Sequence, residues 1–370
     1  MNISIESQLL NHSQRSGLMT YTEGLVTGLY HNDQKNDYDL LYYSLTRKAK
    51  NMPGPNGSEK FTKSVLKIPD RPFIGRQSFI DQIFIPNYLK RRKIDVFHRP
   101  SGYTMPKVKG VRTILTVHDL RTLTMKDEIL KQNIDQYRKS LEGIDICTVV
   151  SECTKRDLLK HFNLNEKKIR VTYLGADSRF APSEAQRIKE VNVKFQLDEP
   201  YFLSVGSVPR KNLDGTLKAF AQSKCREKML LAICCNWEYE KYKSLVDTLG
   251  INNRVRFLDK PSDDDIVALY SGSRAFLFPS FYEGFGLPIL EAMQCKTAVV
   301  TSNMSACPEV AGNAAVLVNP HEIGEITQAM DALAENNTLR QQLIDKGVEQ
   351  AKLFSWKKFA NEMREIYEMS

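Results

Sequence analysis

Short apolar runs alternate with helix-like patterns along almost the whole of this 370-residue chain. The apolar runs lie at residues 3–9, 39–45, 94–98, 113–118, 146–151 and 169–174, and then at 201–205, 229–235, 254–258, 275–279, 298–302 and 315–318. Runs this uniformly apolar suit strands that are buried on both faces, as in parallel sheets covered by helices. The alternation therefore predicts a doubly wound α/β fold.

The alternation is interrupted once, between Arg179 and Tyr201. A polar stretch at residues 181–186 and a short charged segment fill this interval, and we interpret them as an interdomain linker. The pattern thus predicts two Rossmann-like domains in tandem, at residues 1–185 and 196–354. Residues 48–67 contain two prolines and two glycines and are predicted to form a mobile loop.

The formal net charge is +8, and it is unevenly distributed. Residues 1–180 hold 30 Lys and Arg against 19 Asp and Glu, whereas residues 181–370 hold 22 against 25. A basic first half attracts anions such as phosphates, nucleic acid or an acidic membrane leaflet. The charge alone does not choose among these partners.

Several classes of protein are disfavoured by the same sequence. No apolar run reaches about 18 residues, so we expect no membrane span. The first residues show no basic segment followed by an apolar one, which predicts a cytoplasmic protein without a secretory signal. The seven cysteines form no C-x-x-C pair and most lie in apolar stretches, so we expect buried reduced thiols and no metal site.

The segment 205–214 carries the first candidate site. It follows a predicted strand, precedes a helix and contains Gly206 and the adjacent cations Arg210 and Lys211. Ligands of open α/β sheets bind at the carboxyl ends of strands, and two cations beside a helix N-terminus suit a diphosphate. A solvated turn with a surface Arg-Lys pair is the alternative.

The segment 279–292 carries two carboxylates, Glu283 and Glu291, around a glycine-rich loop. Carboxylates accept paired hydrogen bonds from sugar or ribose hydroxyls. Gly284 and Gly286 let backbone N–H groups approach a ligand, and negative charge is tolerated near a helix N-terminus. The alternative is that Glu283 is an ordinary loop acid and Glu291 an ordinary acid of a helix surface.

The first half supplies candidates at the ends of its own strands. His118 and His98 each end a buried strand. A lone histidine is more often a satisfied structural residue, but two such histidines in one sheet raise the odds that both border a ligand cleft. The functional interpretation is preferred for His118, and the structural alternative is preferred for His98. Gly17 follows the first strand and opens the first helix, where a glycine lets the backbone approach a phosphate.

Two further segments have competing interpretations. Asp263, Asp264 and Asp265 could suggest a metal-binding motif, but Ser262 before them and an apolar run after them predict a capped helix N-terminus. Residues 77–93 combine apolar side chains with the basic run 90–93. Such a segment suits an anionic membrane surface, and it suits equally a buried helix with a solvated basic end.

Together these motifs resemble the retaining glycosyltransferases of family 4, which have the GT-B architecture, and in particular their mannosyltransferase-like branch. The resemblance covers nearly the whole chain. It rests on the segments 117–119, 150–155, 173–177, 205–212, 281–291, 308–315 and 354–356. It implies two Rossmann-like doubly wound domains that face a central cleft, and a C-terminal helix at 355–370 that crosses back to the first domain.

The resemblance also implies a role for each matching residue. Residues 1–185 would bind the acceptor, and residues 196–354 would bind a nucleotide-sugar donor. The donor-domain roles are ribose binding by Glu291, sugar-hydroxyl binding by Glu283, stabilisation of the leaving diphosphate by Arg210 and Lys211, backbone contacts at Gly206, Phe285, Gly286 and Leu287, and seating of the base near Leu258. Gly17 would line the phosphate side, and His118 would contact the sugar near its anomeric centre.

The implied enzyme is a metal-independent, retaining hexosyltransferase that needs no cofactor, because the nucleotide-sugar is a co-substrate. GDP-mannose is the preferred donor, with UDP- and dTDP-sugars left open, and a glycan or lipid-linked glycan is the acceptor in surface-polysaccharide (lipopolysaccharide) biosynthesis. Such an enzyme would be cytoplasmic and could lie at the inner face of the cytoplasmic membrane. The alternatives are a nucleotide-sugar epimerase on the same fold and a basic nucleic-acid-binding protein, although no nucleic-acid-binding motif is recognisable.

Overall fold

The computed structural model describes residues 1–11, 16–44, 52–68, 79–124, 134–235 and 239–369. The chain forms two compact units. Unit 1 comprises Met1–Gly175 together with Ser355–Ser370, and unit 2 comprises Ala176–Phe354. The last segment of the chain therefore belongs to the same unit as the first.

Unit 1 is built on a parallel sheet. Its strands within the described ranges are β1 (Asn2–Glu6), β2 (Asp37–Ser44), β3 (Phe61–Lys67), β4 (Val96–Arg99), β5 (Arg112–Val117), β6 (Ile146–Val149) and β7 (Ile169–Val171). They pair in the order β3-β2-β1-β4-β5-β6-β7. The chain fills the sheet first on one side of β1 and then on the other, so the strand order reverses between β1 and β4.

Helices occupy most of the connections between these strands. They are α1 (Gly17–Asn32), α2 (Ile85–Arg91, entered through a π-helical turn at Ile80–Phe84), α3 (Arg121–Thr124), α4 (Ile134–Gly143), α5 (Glu152–His161) and the C-terminal α14 (Trp356–Glu368). Helix α1 begins at a cap, because the Ser16 hydroxyl accepts from the N–H of Met19 at 3.3 Å. Side chains of β5 and β6 pack against α4 and α5 in one apolar cluster, which includes Leu115, Val149 and Leu158.

Unit 2 has a second parallel sheet. Its strands, counted over the part of unit 2 that is described, are β8 (Tyr201–Val205), β9 (Leu230–Cys234), β10 (Val255–Leu258), β11 (Ala275–Phe278), β12 (Val299–Ser302) and β13 (Ala315–Val318). The order is β10-β9-β8-β11-β12-β13, which places the reversal between β8 and β11. The fold class predicted from the alternating pattern is confirmed in both units.

The helices of unit 2 cover this sheet. They are α6 (Ala185–Lys194), α7 (Leu213–Gln222), α8 (Tyr239–Thr248), α9 (Asp263–Gly272), α10 (Leu287–Gln294), α11 (Cys307–Ala311), α12 (Ile323–Glu335) and α13 (Asn337–Ala351). Leu217 of α7 and Met330 of α12 are completely buried in the same cluster as Ile233 of β9 and Leu277 of β11. Burial of each such side chain contributes about 1.5–3 kcal/mol to the free energy of unfolding.

The predicted mobile loop at 48–67 is wrong at its C-terminal end. Phe61–Lys67 forms strand β3, which pairs with β2 over its whole length. The Phe61 ring stacks on Tyr38 with centroids 4.6 Å apart. Four of the seven residues of this edge strand are polar, and that weakens the apolar signal. Residues 45–51 lie outside the described residues.

The predicted interdomain linker is also wrong. Ala185–Lys194 forms helix α6 and belongs to unit 2. Arg187 and Lys194 of this helix bind the two oxygens of Asp265 at 2.8 and 2.6 Å. Burial opposes ionisation of Asp265, but hydrogen bonds from Lys194 and Ser262 lower its pKa to about 2. The charged residues of this segment thus attach a helix to unit 2.

The same contacts decide between the two interpretations of residues 263–265. Ser262 caps α9 through the N–H of Asp265, and the Asp265 carboxylate accepts from the Ser262 N–H in return. This reciprocal pair is a capping box. The prediction of a capped helix N-terminus is confirmed.

The segment predicted to be either membrane-binding or buried carries both buried and exposed apolar side chains. Ile80, Ile85 and Leu89 are buried in unit 1, whereas Phe79 and Ile83 expose 39% and 43% of their surface. Residues 77 and 78 lie outside the described residues. In the described part of the chain no helix is both long and apolar enough to cross a bilayer.

Candidate active site

The two donor segments singled out in the sequence begin at neighbouring strands of unit 2. Strand β8 ends at Val205, and strand β11 ends at Phe278. These strands flank the point where the strand order reverses. Ligands of open α/β sheets bind outside the carboxyl ends of the strands at such a point.

A glycine shapes the loop after β8. Gly206 has a φ of +93°, and its N–H donates to the carbonyl of Cys234 at 2.7 Å. A Cβ at Gly206 would lie 2.5 Å from Cδ of Lys211. Any other residue here would be strained and would displace that lysine.

Asn212 closes this loop and begins helix α7. Its backbone is left-handed, its Oδ1 accepts from the N–H of Gly215 at 3.2 Å, and its Nδ2 donates to the carbonyl of Pro320 at 2.7 Å. The side chain is buried. This cap holds the turn that carries Arg210 and Lys211.

Glu283, in the loop after β11, is buried, and each of its carboxylate oxygens has a partner. Its Oε2 forms an ion pair with Arg210, and its Oε1 accepts from the Ser280 hydroxyl at 3.1 Å. Its backbone N–H donates to the Ser305 hydroxyl at 3.0 Å. Buried carboxylates are retained when they are paired in this way. An ordinary solvated loop acid does not have these contacts.

Lys211 is turned back over the end of β8. Its Nζ donates to the carbonyl of Val205 at 3.2 Å and lies 5.1 Å from the ring centroid of Phe278. Desolvation lowers the pKa of this amine. The arrangement excludes the alternative of a solvated surface Arg-Lys pair.

The charges of the two loops lie close enough to influence one another. Besides desolvation, Glu283 and Glu291 act to raise the pKa of Lys211, and Arg210 acts to lower it. The structure therefore brings together the four charged residues that the sequence predicted to share one ligand. All four belong to unit 2.

Glu291 is held by a residue that the sequence analysis missed. Gly286, with a φ of +103°, precedes helix α10, and no side chain caps that helix. One turn later, Oε2 of Glu291 accepts from the Tyr270 hydroxyl at 3.2 Å. Tyr270 is fully buried against Phe276, so its hydroxyl holds the Glu291 carboxylate in place.

The remaining predicted nucleotide contacts lie at the same edge of this sheet. Leu258 is buried at the end of β10. Phe285 is buried beside Phe354, with ring centroids 5.8 Å apart, and Leu287 is the first residue of α10. Backbone groups at 285–287 thus stand at a helix N-terminus, where the dipole favours negative charge.

In unit 1, His118 follows directly after β5 and is half-buried. Its Nε2 is 2.7 Å from the carbonyl of Pro100, which can only accept, so Nε2 carries the proton and donates. Desolvation lowers the pKa of His118, although the Pro100 carbonyl and Asp119 oppose this shift. The imidazole is therefore neutral near pH 7, with Nδ1 as its lone-pair atom.

Gly17 is the first residue of α1 and is exposed. A Cβ added there would meet no atom within 4 Å among the described residues. Packing therefore does not require glycine at this position. Arg15, which precedes the Ser16 cap, lies outside the described residues.

The structural alternative for His98 is confirmed. This ring is completely buried, and its two nitrogens bond to the hydroxyls of Tyr367 and Thr116 at 2.7 and 2.8 Å. Burial lowers the pKa of His98 to about 3. It is a core histidine with both ring nitrogens satisfied, which a strand-terminal position alone does not reveal.

The cysteines and acids offer no metal centre in the ranges that are described. No group of three or more His, Cys, Asp and Glu there is arranged to hold an ion. All seven cysteines lie in these ranges and are free thiols, six of them buried and Cys235 half-buried. Burial raises the pKa of Cys147, Cys234 and Cys307.

Sequence reasoning missed the residues that hold the site rather than form it. They are Asn212, Tyr270, Ser280 and Ser305 in unit 2. Asn212 alone had a usable signal, because Asn before an apolar helix is a capping residue. The other three depend on tertiary contacts that no spacing predicts.

Comparisons with known proteins agree with this geometry. A family model described as Glycosyltransferase Family 4 matches residues 32–180, and one described as Glycosyl transferases group 1 matches residues 185–350. The O-antigen chain mannosyltransferase B of Escherichia coli is 31% identical over 291 residues, which span 76% of this chain and 76% of the relative. The chain belongs to the family-4 glycosyltransferases.

A second relative of this glycosyltransferase is a much longer protein. The serotype-specific mannosyltransferase WbdA of Escherichia coli is 28% identical over 259 residues, which are 66% of this chain but only 32% of that protein. The chain therefore spans about a third of the length of that relative.

Solved structures share the GT-B fold of this family-4 glycosyltransferase over its full length. The crystal structure of WaaG, a glycosyltransferase involved in lipopolysaccharide biosynthesis, has a TM-score of 0.75 at 14% identity and covers 100% of both chains. The Anabaena protein Alr3699/HepE in complex with UDP and glucose has a TM-score of 0.76 at 14% identity, covering 100% of this chain and 99% of that one. These likenesses confirm the predicted fold class.

Proposed function

We propose that this glycosyltransferase is a retaining hexosyltransferase that transfers mannose from GDP-mannose to a glycan or lipid-linked glycan in surface-polysaccharide synthesis. The observation that carries the proposal is the group of two cations and two carboxylates at the β8/β11 strand ends of unit 2. The choice of mannose is supported by the relatives named as mannosyltransferases.

Each charged residue has a role that its contacts support. Arg210 and Lys211 stabilise the leaving diphosphate, and Glu291, steadied by Tyr270, accepts from the ribose hydroxyls. An ionised carboxylate offers about four lone-pair positions. Arg210 and Ser280 use only part of this capacity at Glu283, so its carboxylate can still accept from hydroxyls of the sugar.

The other proposed donor contacts are formed by backbone and apolar groups. Gly206 lets the first loop approach the diphosphate, and N–H groups at 285–287 contact the phosphate and sugar. Leu258 seats the base. Gly17 of unit 1 lines the phosphate side.

In the proposed reaction the diphosphate leaves from the face that the acceptor hydroxyl attacks. The bond from the anomeric carbon to the phosphate oxygen breaks, and a bond to the acceptor oxygen forms on the same face. The acceptor proton passes to the departing diphosphate. Neutral His118 stabilises the positive charge that develops near the anomeric carbon, and the anomeric configuration is retained.

The proposed reaction has no metal-dependent step, because Arg210 and Lys211 supply the positive charge that the diphosphate needs. The expected result is full activity in the presence of EDTA. Loss of activity in EDTA that returns with added Mg²⁺ would overturn this part of the proposal.

The acceptor side is proposed to work at the inner face of the cytoplasmic membrane. Exposed Phe79 and Ile83 stand close in sequence to the basic run 90–93, and apolar side chains beside cations suit an anionic bilayer. Flotation with vesicles containing phosphatidylglycerol, compared with pure phosphatidylcholine vesicles, tests this. Equal recovery with both would contradict the membrane contact.

A thermal-shift screen with GDP, UDP, dTDP and ADP tests the donor. A ligand that binds only the folded state raises the melting temperature by mass action. GDP is expected to give the largest shift, and a larger shift with UDP or dTDP would replace the proposed donor. Incubation with GDP-mannose and no acceptor separates the epimerase alternative, because only an epimerase would release an altered nucleotide-sugar.

A further inference from the structure

Two groups of unit 1 hold the His118 imidazole. The Nε2–H donates to the Pro100 carbonyl on one side. On another side the Tyr21 ring meets the imidazole edge-on, with centroids 4.6 Å apart and planes at 90°. In addition, the Thr154 hydroxyl donates to the backbone carbonyl of His118 at 3.2 Å.

The Tyr21 ring also belongs to a row of aromatic rings that continues into helix α14. Phe359 of helix α14 packs against Tyr21 with centroids 5.2 Å apart and planes at 72°. Trp356, one turn earlier in α14, packs against Phe359 at 5.4 Å and 81°. Tyr21 and Phe359 are completely buried, so neither ring has space to rotate freely.

The Tyr21 hydroxyl is fixed by a second connection to the same helix. It bonds to the Thr116 hydroxyl at 2.9 Å, which also bonds to Thr148 at 2.7 Å and to His98 at 2.8 Å. A hydroxyl has one proton and two lone pairs, so these three bonds use its full capacity. The other nitrogen of His98 bonds to Tyr367 of α14 at 2.7 Å.

Helix α14 cannot slide along α1 without losing these contacts. A Cβ at Gly24 would lie 2.3 Å from the Trp356 indole, and a Cβ at Gly28 would lie 2.9 Å from Cβ of Ala360. The two helices therefore approach as closely as only glycine allows. The Trp356 indole occupies the space beside Gly24, and this fixes the position of the row of aromatic rings along α1.

We infer that the C-terminal helix α14 positions His118, with Tyr21 as the positioning residue between them. The Tyr21 ring packs against Phe359 on one side and makes the T-shaped contact with the imidazole on another. Its hydroxyl bonds to Thr116, which is linked through His98 to Tyr367. The catalytic consequence rests on the proposed role of His118, whereas the positioning itself is a property of unit 1 alone.

Nuclear magnetic resonance of ¹⁵N-labelled histidines tests the positioning without any activity. His118→Ala identifies the His118 imidazole signals. Phe359→Leu keeps an apolar side chain but removes the ring, and Met363→Leu is the matched control, because Met363 is equally buried on the same helix. Phe359→Leu is expected to shift the His118 signals, and Met363→Leu is expected to leave them in place. Unchanged His118 signals in Phe359→Leu would overturn the inference.

A second variant guards against general loss of folding. Tyr21→Phe keeps the ring and removes only the bond to Thr116. It is expected to shift the His118 signals less than Phe359→Leu does, while the melting temperature stays close to that of the Met363→Leu control. Equal shifts in all three variants would mean nonspecific loosening and would overturn the inference.

A double-mutant cycle tests the catalytic consequence. Phe359→Leu is expected to lower kcat about three- to tenfold, with the dissociation constant for GDP unchanged within about twofold, because the proposed nucleotide residues lie in unit 2. In a His118→Ala background the same substitution is expected to have almost no further effect on kcat. Additive losses would overturn the positioning route. If His118→Ala leaves kcat unchanged, the proposed role of His118 fails, and the histidine signals still decide the positioning.

Discussion

The two units hold their candidate residues by different physical means. In unit 2, charged side chains hold one another, as Arg210 and Glu283 do, and each lies within a few residues of a strand end. In unit 1, the neutral imidazole of His118 is held by the Pro100 carbonyl and by the aromatic ring of Tyr21 in helix α1.

This difference decides which functional residues can be recognised in a sequence. Opposite charges in glycine-containing loops leave a local sequence pattern, because the charged residues and the glycines that shape their loops are close together in the sequence. A row of aromatic rings that joins α1 to α14 leaves no local sequence pattern, because Tyr21 and Phe359 lie at opposite ends of the chain. Sites built on charge are therefore easier to predict than sites built on packing.

The largest expected effect comes from removing a charge in unit 2. Lys211→Ala is expected to lower kcat about 100- to 1,000-fold, as the loss of one electrostatic stabiliser of a transition state does elsewhere. Steady-state turnover with GDP-mannose measures it. Lys218→Ala, on the exposed side of the following helix, is the control. A loss of less than about threefold would show that the Lys211 charge is not needed.

A smaller loss is expected in unit 1. His118→Ala should lower kcat about 10- to 100-fold, because a positioned group near the reacting carbon is removed. Calorimetry should find the affinity for GDP unchanged, since the nucleotide residues belong to unit 2. His31→Ala, an exposed histidine of the same unit, should change neither quantity. A weakened affinity for GDP with unchanged kcat would reverse the comparison between the units.

Nucleotide binding should respond to the second carboxylate of unit 2. Glu291→Ala is expected to weaken the affinity for GDP about tenfold, and Tyr270→Phe about threefold, because the tyrosine only steadies the carboxylate. Calorimetric titration measures both, with exposed Glu349→Ala as the control. Unchanged binding in Glu291→Ala would remove its assigned role.

The smallest expected effect concerns the stability of the protein at acidic pH and the buried, neutral His98 of unit 1. Burial lowers the pKa of His98 to about 3, whereas an unfolded histidine titrates near 6.5. As the pH falls below about 6.5, His98 binds a proton in the unfolded chain but stays neutral in the folded chain. The free energy of unfolding therefore decreases. The melting temperature of His98→Gln should fall less between pH 7 and pH 5 than that of the unsubstituted protein. Parallel curves would show that His98 is protonated in the folded state.

The sequence was sufficient for the fold class and for the charged residues of unit 2, but not for their surroundings. Apolar runs predicted the strands of the second sheet and those of the first except β3, and the positions of Arg210, Lys211, Glu283 and Glu291 predicted one edge of the second. The linker was wrong because the charges of α6 are satisfied by Asp265, a tertiary contact. For His98 the sequence leaves two interpretations open, because a buried and an exposed histidine look alike until Tyr367 is placed beside it.

The attachment of α14 to unit 1 has a consequence for synthesis on the ribosome. Domains generally fold as units while the chain emerges. Unit 2 is continuous from Ala176 to Phe354, so all of its strands are available before translation ends. Unit 1 emerges first but cannot complete its packing until α14 has been made. Before that, Gly24 lacks its contact with the Trp356 indole, and His98 lacks its hydrogen bond to the Tyr367 hydroxyl. The half of the protein that is made first should therefore be the half that matures last.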